Sequence, residues 1–264
     1  VAYNSGTVIK IIDINENKLD YNKYYDISFL RTLKPVVSDI HTHSYTNDIL
    51  AYSYEYINFL KEYNIKFQYP ELYILTGAEF ENAFWNETYL TLGNGIKSRS
   101  RPFASAAIIG HELTHAVIQS MNKLHYIGES GSLNESYCDI FGVMFESYLI
   151  EKNRTGIGFE FGNEIYVDGH SMRSFIDPNK CGQPCSVSDK MFYKGRSDHG
   201  GVHINSGITN HLFYRLQIHL DKCNTFEIFL NVLNKLKNDS TFNDFKKLII
   251  QEIPDKIDII NSIL

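Results

Sequence analysis

The spacing of apolar positions along this chain changes near residue 104. Before it, apolar residues come mostly in short blocks bounded by turn residues. Thr7-Val8-Ile9-Lys10-Ile11-Ile12 is strand-like, and Pro70 to Gly77 reads as a buried strand, with Leu72, Tyr73, Ile74 and Leu75 running without a polar break. Tyr89-Leu90-Thr91-Leu92 runs into Gly93-Asn94-Gly95, a turn signal that predicts a hairpin closing there. One helical stripe interrupts this pattern: from Thr46 to about Tyr63, Ile49, Leu50, Ile57 and Leu60 share a face, and Thr46 or Asn47 can cap it. After residue 104 the helical period takes over. It predicts helices from Ala104 to about Met121, from about Ser132 to Glu151 and from about Ile204 to Leu220. Two or three amphipathic helices follow between Asn224 and Leu264, with Phe226, Phe229, Leu233, Phe245 and Ile249 as core candidates. Residues 125–131 and 156–184 read as loops. The expected fold class is α+β in two lobes, a sheet-rich lobe over 1–121 and a mainly helical lobe over 122–264.

Composition adds little to this. A chain of 264 residues can bury a large core, and 43% hydrophobic with 21% charged residues is ordinary for a globular protein. A net charge of -6 supplies no basic field for nucleic acid. No apolar run reaches the roughly 18 residues that a membrane span needs. Of the four cysteines, Cys138 falls in a helical pattern as a small buried residue. Cys181-Gly182-Gln183-Pro184-Cys185 lies in a loop and can close a small disulfide of the kind an oxidising compartment allows; a metal site on it would need a second pair. The opening Val1-Ala2-Tyr3-Asn4-Ser5-Gly6 suits the processed form of a longer precursor.

Five residues in the helix after residue 104 change the picture: His111-Glu112-Leu113-Thr114-His115. A helical step of four residues advances about 6 Å and turns about 400°. His111 and His115 therefore share a face and can grip one metal ion, with Glu112 beside them to take a proton from a metal-bound water. Alone, the pattern also fits two surface histidines beside an ordinary glutamate. The class in which a glycine and a third histidine follow is excluded, because Ile118 and Met121 stand at those places. Glu135 and Asp139, four residues apart on one helix face, can serve instead. Glu135 would complete a set of two His and one Glu, and Asp139 would hold the free nitrogen of a ligating imidazole. The competing reading of Glu135 is a capping box with Ser132. Two His and one Glu leave a fourth zinc position for water, the catalytic arrangement. Asp198-His199-Gly200-Gly201-Val202-His203 then offers a donor to a developing oxyanion, with His203 facing substrate and Asp198 holding its imidazole; the alternative is a hinge loop with incidental histidines. His41 and His43 have no evident partner in the sequence and read as surface or structural.

In chain order, Asn82-Ala83-Phe84-Trp85, His111 to Val117, Glu129-Ser130-Gly131 and Asn134-Glu135 are followed by Asp139-Ile140-Phe141-Gly142, Ser171-Met172-Arg173-Ser174, Asp177-Pro178 and Gly200 to Gly207. Together these blocks resemble the thermolysin-like family of zinc metalloendopeptidases, the neutral proteases, over about residues 80–210. The resemblance implies a two-lobed thermolysin-like fold with the active-site cleft between the lobes. It implies a zinc-dependent endopeptidase that cuts peptides or proteins on the amino side of bulky hydrophobic residues. One catalytic Zn2+ would be held by His111, His115 and Glu135, with Glu112 as general base. His203 and Tyr126 would stabilise the tetrahedral intermediate, Asp198 would orient His203, and Asp139 would support His111. Asn82 and the Ala83 backbone would hold the peptide as an added strand, and Arg173 would bind a substrate carbonyl. Ile108 and Met172 fall where the family lines its specificity pocket. Secretion as a zymogen with an inhibitory propeptide is also implied.

The chain departs from the family in three ways. The family's double Ca2+ site uses a carboxylate just before the HExxH, where this chain has Ala107; Glu146, Glu160 and Glu164 remain for a reduced site. His199 stands in place of the usual Asn, and the region after Gly207 is shorter. Two rival readings are a non-catalytic zinc-binding or adhesion protein and a zinc hydrolase acting on other bonds. Retention of Glu112 argues against the first, and the Asn82-Ala83 edge against the second.

Overall fold

The strand-like blocks of the first hundred residues come together as one four-stranded sheet in the computed structural model, which describes residues 7–36, 44–121, 123–153 and 158–264. β1 (Val8–Asp13), β2 (Glu71–Thr76), β3 (Ala83–Trp85) and β4 (Leu90–Leu92) lie in the order β1-β2-β4-β3. β1 and β2 are parallel, in register from Val8 opposite Glu71 to Asp13 opposite Thr76. Parallel neighbours need a crossover, and this one carries α1 (Ile27–Thr32) and α2 (Ser44–Glu62), with α2 packed on β1. α2 matches the helical stripe read from the sequence. α1 was not expected: it has only six residues, too few for a period, and starts where the Asp26 side chain accepts the Phe29 N–H at 2.9 Å. Ile12, Tyr73 and Leu75 of the sheet close on Leu30 of α1 and on Tyr89 as one buried cluster.

The hairpin closes at the other end of β4 from the one expected. β3 and β4 pair antiparallel, and the turn between them is built by Asn86, whose side-chain oxygen accepts the N–H groups of Thr88 and Tyr89 at 3.2 and 3.0 Å. Gly93 and Gly95 instead let two backbones approach: their N–H groups donate to Asn82 O and Phe80 O at 2.9 and 3.1 Å. A Cβ on Gly93 would stand 2.2 Å from the Phe80 carbonyl oxygen. The glycines there serve close contact, not a turn.

The sheet belongs to a first unit of residues 1–117 and 162–170; residues 118–161 and 171–264 make a second. α3 (Ala106–Ser120) runs from the first into the second. The second unit is mainly helical: α4 (Gly128–Asn153), α5 (Asp198–Gln217), α6 (Lys222–Lys235), α7 (Phe242–Glu252) and α8 (Ile257–Ile263), with a small ribbon of β5 (Glu160–Phe161) and β6 (Arg173–Ser174). The expected α+β class is thus observed. α4 packs along α5, and aromatic edges interlock around them, Phe141 on Phe226 at 4.9 Å and Phe213 on Phe229 at 5.1 Å between ring centroids. Tyr137, buried in this core, donates to the Phe229 carbonyl at 2.9 Å, and burial raises its pKa well above the ordinary phenol value.

α4 begins four residues earlier than the sequence pattern placed it. Ser132 therefore lies inside the helix, its hydroxyl donating to Gly128 O at 2.9 Å, and cannot form the capping box that competed for Glu135. The small disulfide is also corrected: none of the four cysteines is in a disulfide, and Cys181 Sγ donates to the Ser171 carbonyl. Cys138 is fully buried, as expected. His41 and His43 lie outside the described residues. No described helix is long and apolar enough to cross a membrane.

Candidate active site

Helix α3 carries the HExxH residues, and its apolar face determines how they are presented. Ile109, Leu113 and Ala116 are fully buried, as is Thr114. Thr114 Oγ1 donates to Gly110 O at 2.6 Å and shares a 2.6 Å hydrogen bond with Tyr56 of α2. That anchor fixes the rotation of the helix within the first unit. His111 and His115, one turn apart, have ring centroids separated by 5.0 Å with the rings nearly perpendicular. Glu112 is buried beside them, and its Oε2 accepts the Trp85 N–H at 2.9 Å. One carboxylate oxygen is thereby held by β3, which the sheet order makes an edge strand. Ala83 opens that strand, and Asn82 precedes it with its carbonyl accepting the Gly93 N–H at 2.9 Å.

The second unit brings four of the other candidates into one hydrogen-bonded chain. Glu135, on α4, is 1% exposed. The Tyr126 hydroxyl bonds both Glu135 Oε1 and His203 Nε2, the latter at 3.0 Å. On the far side of the imidazole, Asp198 Oδ1 lies 2.6 Å from His203 Nδ1, while Asp198 Oδ2 accepts the His203 N–H at 3.0 Å. The paired carboxylate favours the Nδ1–H form of the ring and fixes its plane. His203 and Tyr126 keep substantial exposure, so both can reach a ligand.

A left-handed turn makes this chain possible. Asp198, His199, Gly200 and Gly201 have φ of 53°, 49°, 90° and 85°. Regular helix begins only at Val202, two residues before the predicted start. A Cβ at Gly201 would stand 2.6 Å from Tyr193 Cδ1, and one at Gly200 3.1 Å from Gly128 Cα. Both positions combine a conformation costly to side chains with a lack of room for one. His199, the departure from the family pattern, sets its ring edge-on to Tyr126 at 5.5 Å.

Asp139 and Arg173 also meet. Asp139, fully buried, takes Arg173 Nη2 at 2.6 Å on Oδ1 and Asn210 Nδ2 at 2.7 Å on Oδ2. Asn210 Oδ1 in turn accepts the Ser136 hydroxyl at 2.7 Å. The Arg173 guanidinium lies 4.5 Å from the Phe161 ring centroid, so it is clamped between a carboxylate and a π face. Ser136 and Asn210 were not singled out in the sequence. Ile108 is buried in the first unit and Met172 half-buried in the second, where its N–H donates to Phe161 O at 2.9 Å. Of the carboxylates considered for calcium, Glu164 belongs to the first unit and Glu146 and Glu160 to the second, where Glu160 accepts the Ser174 hydroxyl at 2.9 Å.

The donor chemistry fits zinc. Two imidazoles one helical turn apart and a carboxylate held in the protein interior are the ligand types of a catalytic zinc site, and Glu135 Oε1 accepts the Tyr126 hydroxyl.

Two family models match the sequence: thermolysin metallopeptidase, catalytic domain, over residues 40–119, and thermolysin metallopeptidase, alpha-helical domain, over residues 122–258. A zinc metalloproteinase of Listeria monocytogenes is 35% identical over 222 residues, covering 83% of this chain and 42% of the relative. Bacillolysin of Bacillus cereus is 42% identical over 144 residues, 53% of this chain and 24% of the relative. The chain spans less than half the length of these two relatives. Among solved structures, the precursor of protealysin, a metalloproteinase from Serratia proteamaculans, superposes with a TM-score of 0.77 at 22% identity, over 97% of this chain and 84% of that one, and so shares its fold. By its two matched domains and the ordered motifs within them, the chain belongs to the thermolysin metallopeptidase family.

Proposed function

We propose that this protein is a zinc-dependent endopeptidase that hydrolyses peptide bonds on the amino side of bulky hydrophobic residues. The observation that carries the reading is Glu112: a buried carboxylate between two candidate ligands, with one oxygen fixed at 2.9 Å by the N–H of an edge strand. His111, His115 and Glu135 would hold the metal. A zinc ion bound there supplies a Lewis acid that polarises the scissile carbonyl and acidifies the attacking water. Glu112 takes the proton of that water and hands it to the departing amine. Tyr126 donates to the oxygen on which negative charge develops; Asp198 holds the His203 Nδ1–H, and Nε2 joins Tyr126 as a donor when that ring carries a proton on both nitrogens. Asp139 supports the ligand His111, and its bond to Arg173 aims that guanidinium at a substrate carbonyl. Asn82 and the Ala83 backbone take the peptide as an added strand on β3.

A division of labour between a lobe of 1–121 and a lobe of 122–264 is supported by the place where the two matched family domains meet. Secretion as a zymogen with an inhibitory propeptide, and a reduced calcium site at Glu146 or Glu160, belong to the same reading through the family resemblance. The test is a peptide with a central Phe or Leu, assayed with and without a zinc chelator. Cleavage should stop on chelation and return with added zinc. Glu112→Ala should keep its zinc and lose about 10²- to 10⁴-fold in kcat, the usual contribution of a general base. Full zinc occupancy without hydrolysis by the intact protein would overturn the proposal.

A further inference from the structure

We propose that Gln183 is a positioning residue for His203, and that the Cys181–Cys185 turn is built to deliver it. This rests on the reading of His203 as an oxyanion donor. Gln183 is only 4% exposed, and its primary amide is aimed by its protons: both find acceptors, while Oε1 is buried with no hydrogen-bond partner among the described residues. Its Nε2 donates to the His203 carbonyl at 2.7 Å and to Ser206 Oγ at 3.1 Å. Ser206 Oγ itself donates to the same carbonyl at 3.0 Å. On the other side of the His203 Cα, the N–H donates to Asp198. Side chains therefore grip the peptide groups on both flanks of this one residue, which fixes the direction of its Cα–Cβ bond. Asp198 and Tyr126 then fix the ring. A first helical turn that follows left-handed backbone is where fraying is expected, and it is here that the extra bonds are concentrated.

The turn is held as firmly as its side chain. The Gln183 N–H donates to Pro178 O at 3.1 Å, and the Gln183 carbonyl accepts Asn179 Nδ2 at 2.8 Å. Asn179 also donates to Asp189 Oδ2, which accepts the Cys185 N–H, each at 3.0 Å. Gly207 makes room for the approach, since a Cβ there would stand 2.7 Å from Gln183 Cβ. Asn205 completes the seat, exchanging two hydrogen bonds with the Tyr193 backbone at 2.9 and 3.0 Å. The consecutive residues Asn205, Ser206 and Gly207 thus each receive part of the 178–193 segment.

The experiment is a double-mutant cycle in the full chain, with Gln183→Met and Gln183→Glu each made alone and in a His203→Ala background. Gln183→Met keeps the shape and removes the donor, and Gln183→Glu replaces the amide donor with a carboxyl that, when ionised, repels the same carbonyl. Alone, each should lower kcat about tenfold, the scale of one hydrogen bond's net contribution, with KM and zinc content unchanged. In the His203→Ala background each should change kcat less than about twofold, because the group being positioned is gone. Equal losses in both backgrounds, or none in the intact one, would overturn the proposal. If His203→Ala itself leaves kcat unchanged, the assigned role of His203 fails, and the side-chain ¹⁵N resonances of His203 decide the positioning separately. Gln183→Met should shift or broaden them, and unchanged resonances would refute the contact.

Discussion

Glu112 and Tyr126 are each held by partners on other elements before any substrate arrives. Trp85 fixes one oxygen of Glu112, and Glu135 with His203 fixes the Tyr126 hydroxyl. Preorganisation of this kind spares the Glu112 carboxylate any reorientation during the reaction, and leaves Tyr126 only its one O–H to turn from Glu135 to the developing oxyanion. Tyr126→Phe should therefore lower kcat by about 10²- to 10³-fold, as the loss of one oxyanion donor does, with the fold intact. A kcat within a factor of about two of the parent protein would remove Tyr126 from the proposed site. What could be read in advance at this scale follows from distance along the chain. His111, Glu112 and His115 are neighbours on one helix, so their spacing alone carried the metal reading. Ser136 and Asn210 are 74 residues apart, and Asn210 lies 71 from Asp139; no local period records such contacts. Tyr126 and Arg173 were reached only through the family resemblance. Gln183 reaches His203 and Ser206 across 20 and 23 residues, again beyond any local period.

The element that most shapes the hydrogen-bonded chain of the second unit is the left-handed turn from Asp198 to Gly201. The paired glycines announced a sharp turn before a helix, and the structure adds its hand and its purpose: it brings the Asp198 carboxylate back onto both the N–H and the ring of His203. Gly201→Ala should destabilise the protein by more than the roughly 1–2 kcal/mol of a left-handed side chain, because the new Cβ would also meet the Tyr193 ring at 2.6 Å. Urea unfolding would measure this, and an unchanged midpoint would show that the turn is not held as described. Elsewhere, element existence was easier to read than element ends. β4 and its glycines were recognised, but glycine is needed equally for turns and for close backbone approach, so Gly93 pointed to the wrong end of the hairpin. At α4, Ser132 has the composition of a cap, yet the helix had already begun at Gly128.

For the whole molecule, the acid limit of stability follows from groups whose protonation the fold resists. His211 on α5 is held neutral mainly by burial, which lowers its pKa, with the nearby Arg215 acting the same way. The hydrogen bond of Nδ1 to Phe175 O, at 2.9 Å, and the charge of Asp177 oppose the shift without reversing it. A histidine whose folded pKa lies below its unfolded value of about 6.5 leaves the unfolded chain binding more protons as pH falls through that value. Its contribution is therefore fully present above about pH 6.5 and declines below it. Asp189 adds a second, more acid window. The Asn179 side chain, then the N–H groups of Met191 and Cys185, lower its pKa to about 2. Stability from that carboxylate is complete above the unfolded value of about 3.9 and is lost as pH falls towards the folded one. Asp189 also braces the turn that carries Gln183, so its protonation loosens the His203 seat as well as the fold. His211→Asn keeps a donor for the Phe175 carbonyl and removes the titration. Urea midpoints at pH 7.5 and 5.5 should fall less for this variant than for the parent chain, and an equal fall would show that His211 does not contribute to acid sensitivity.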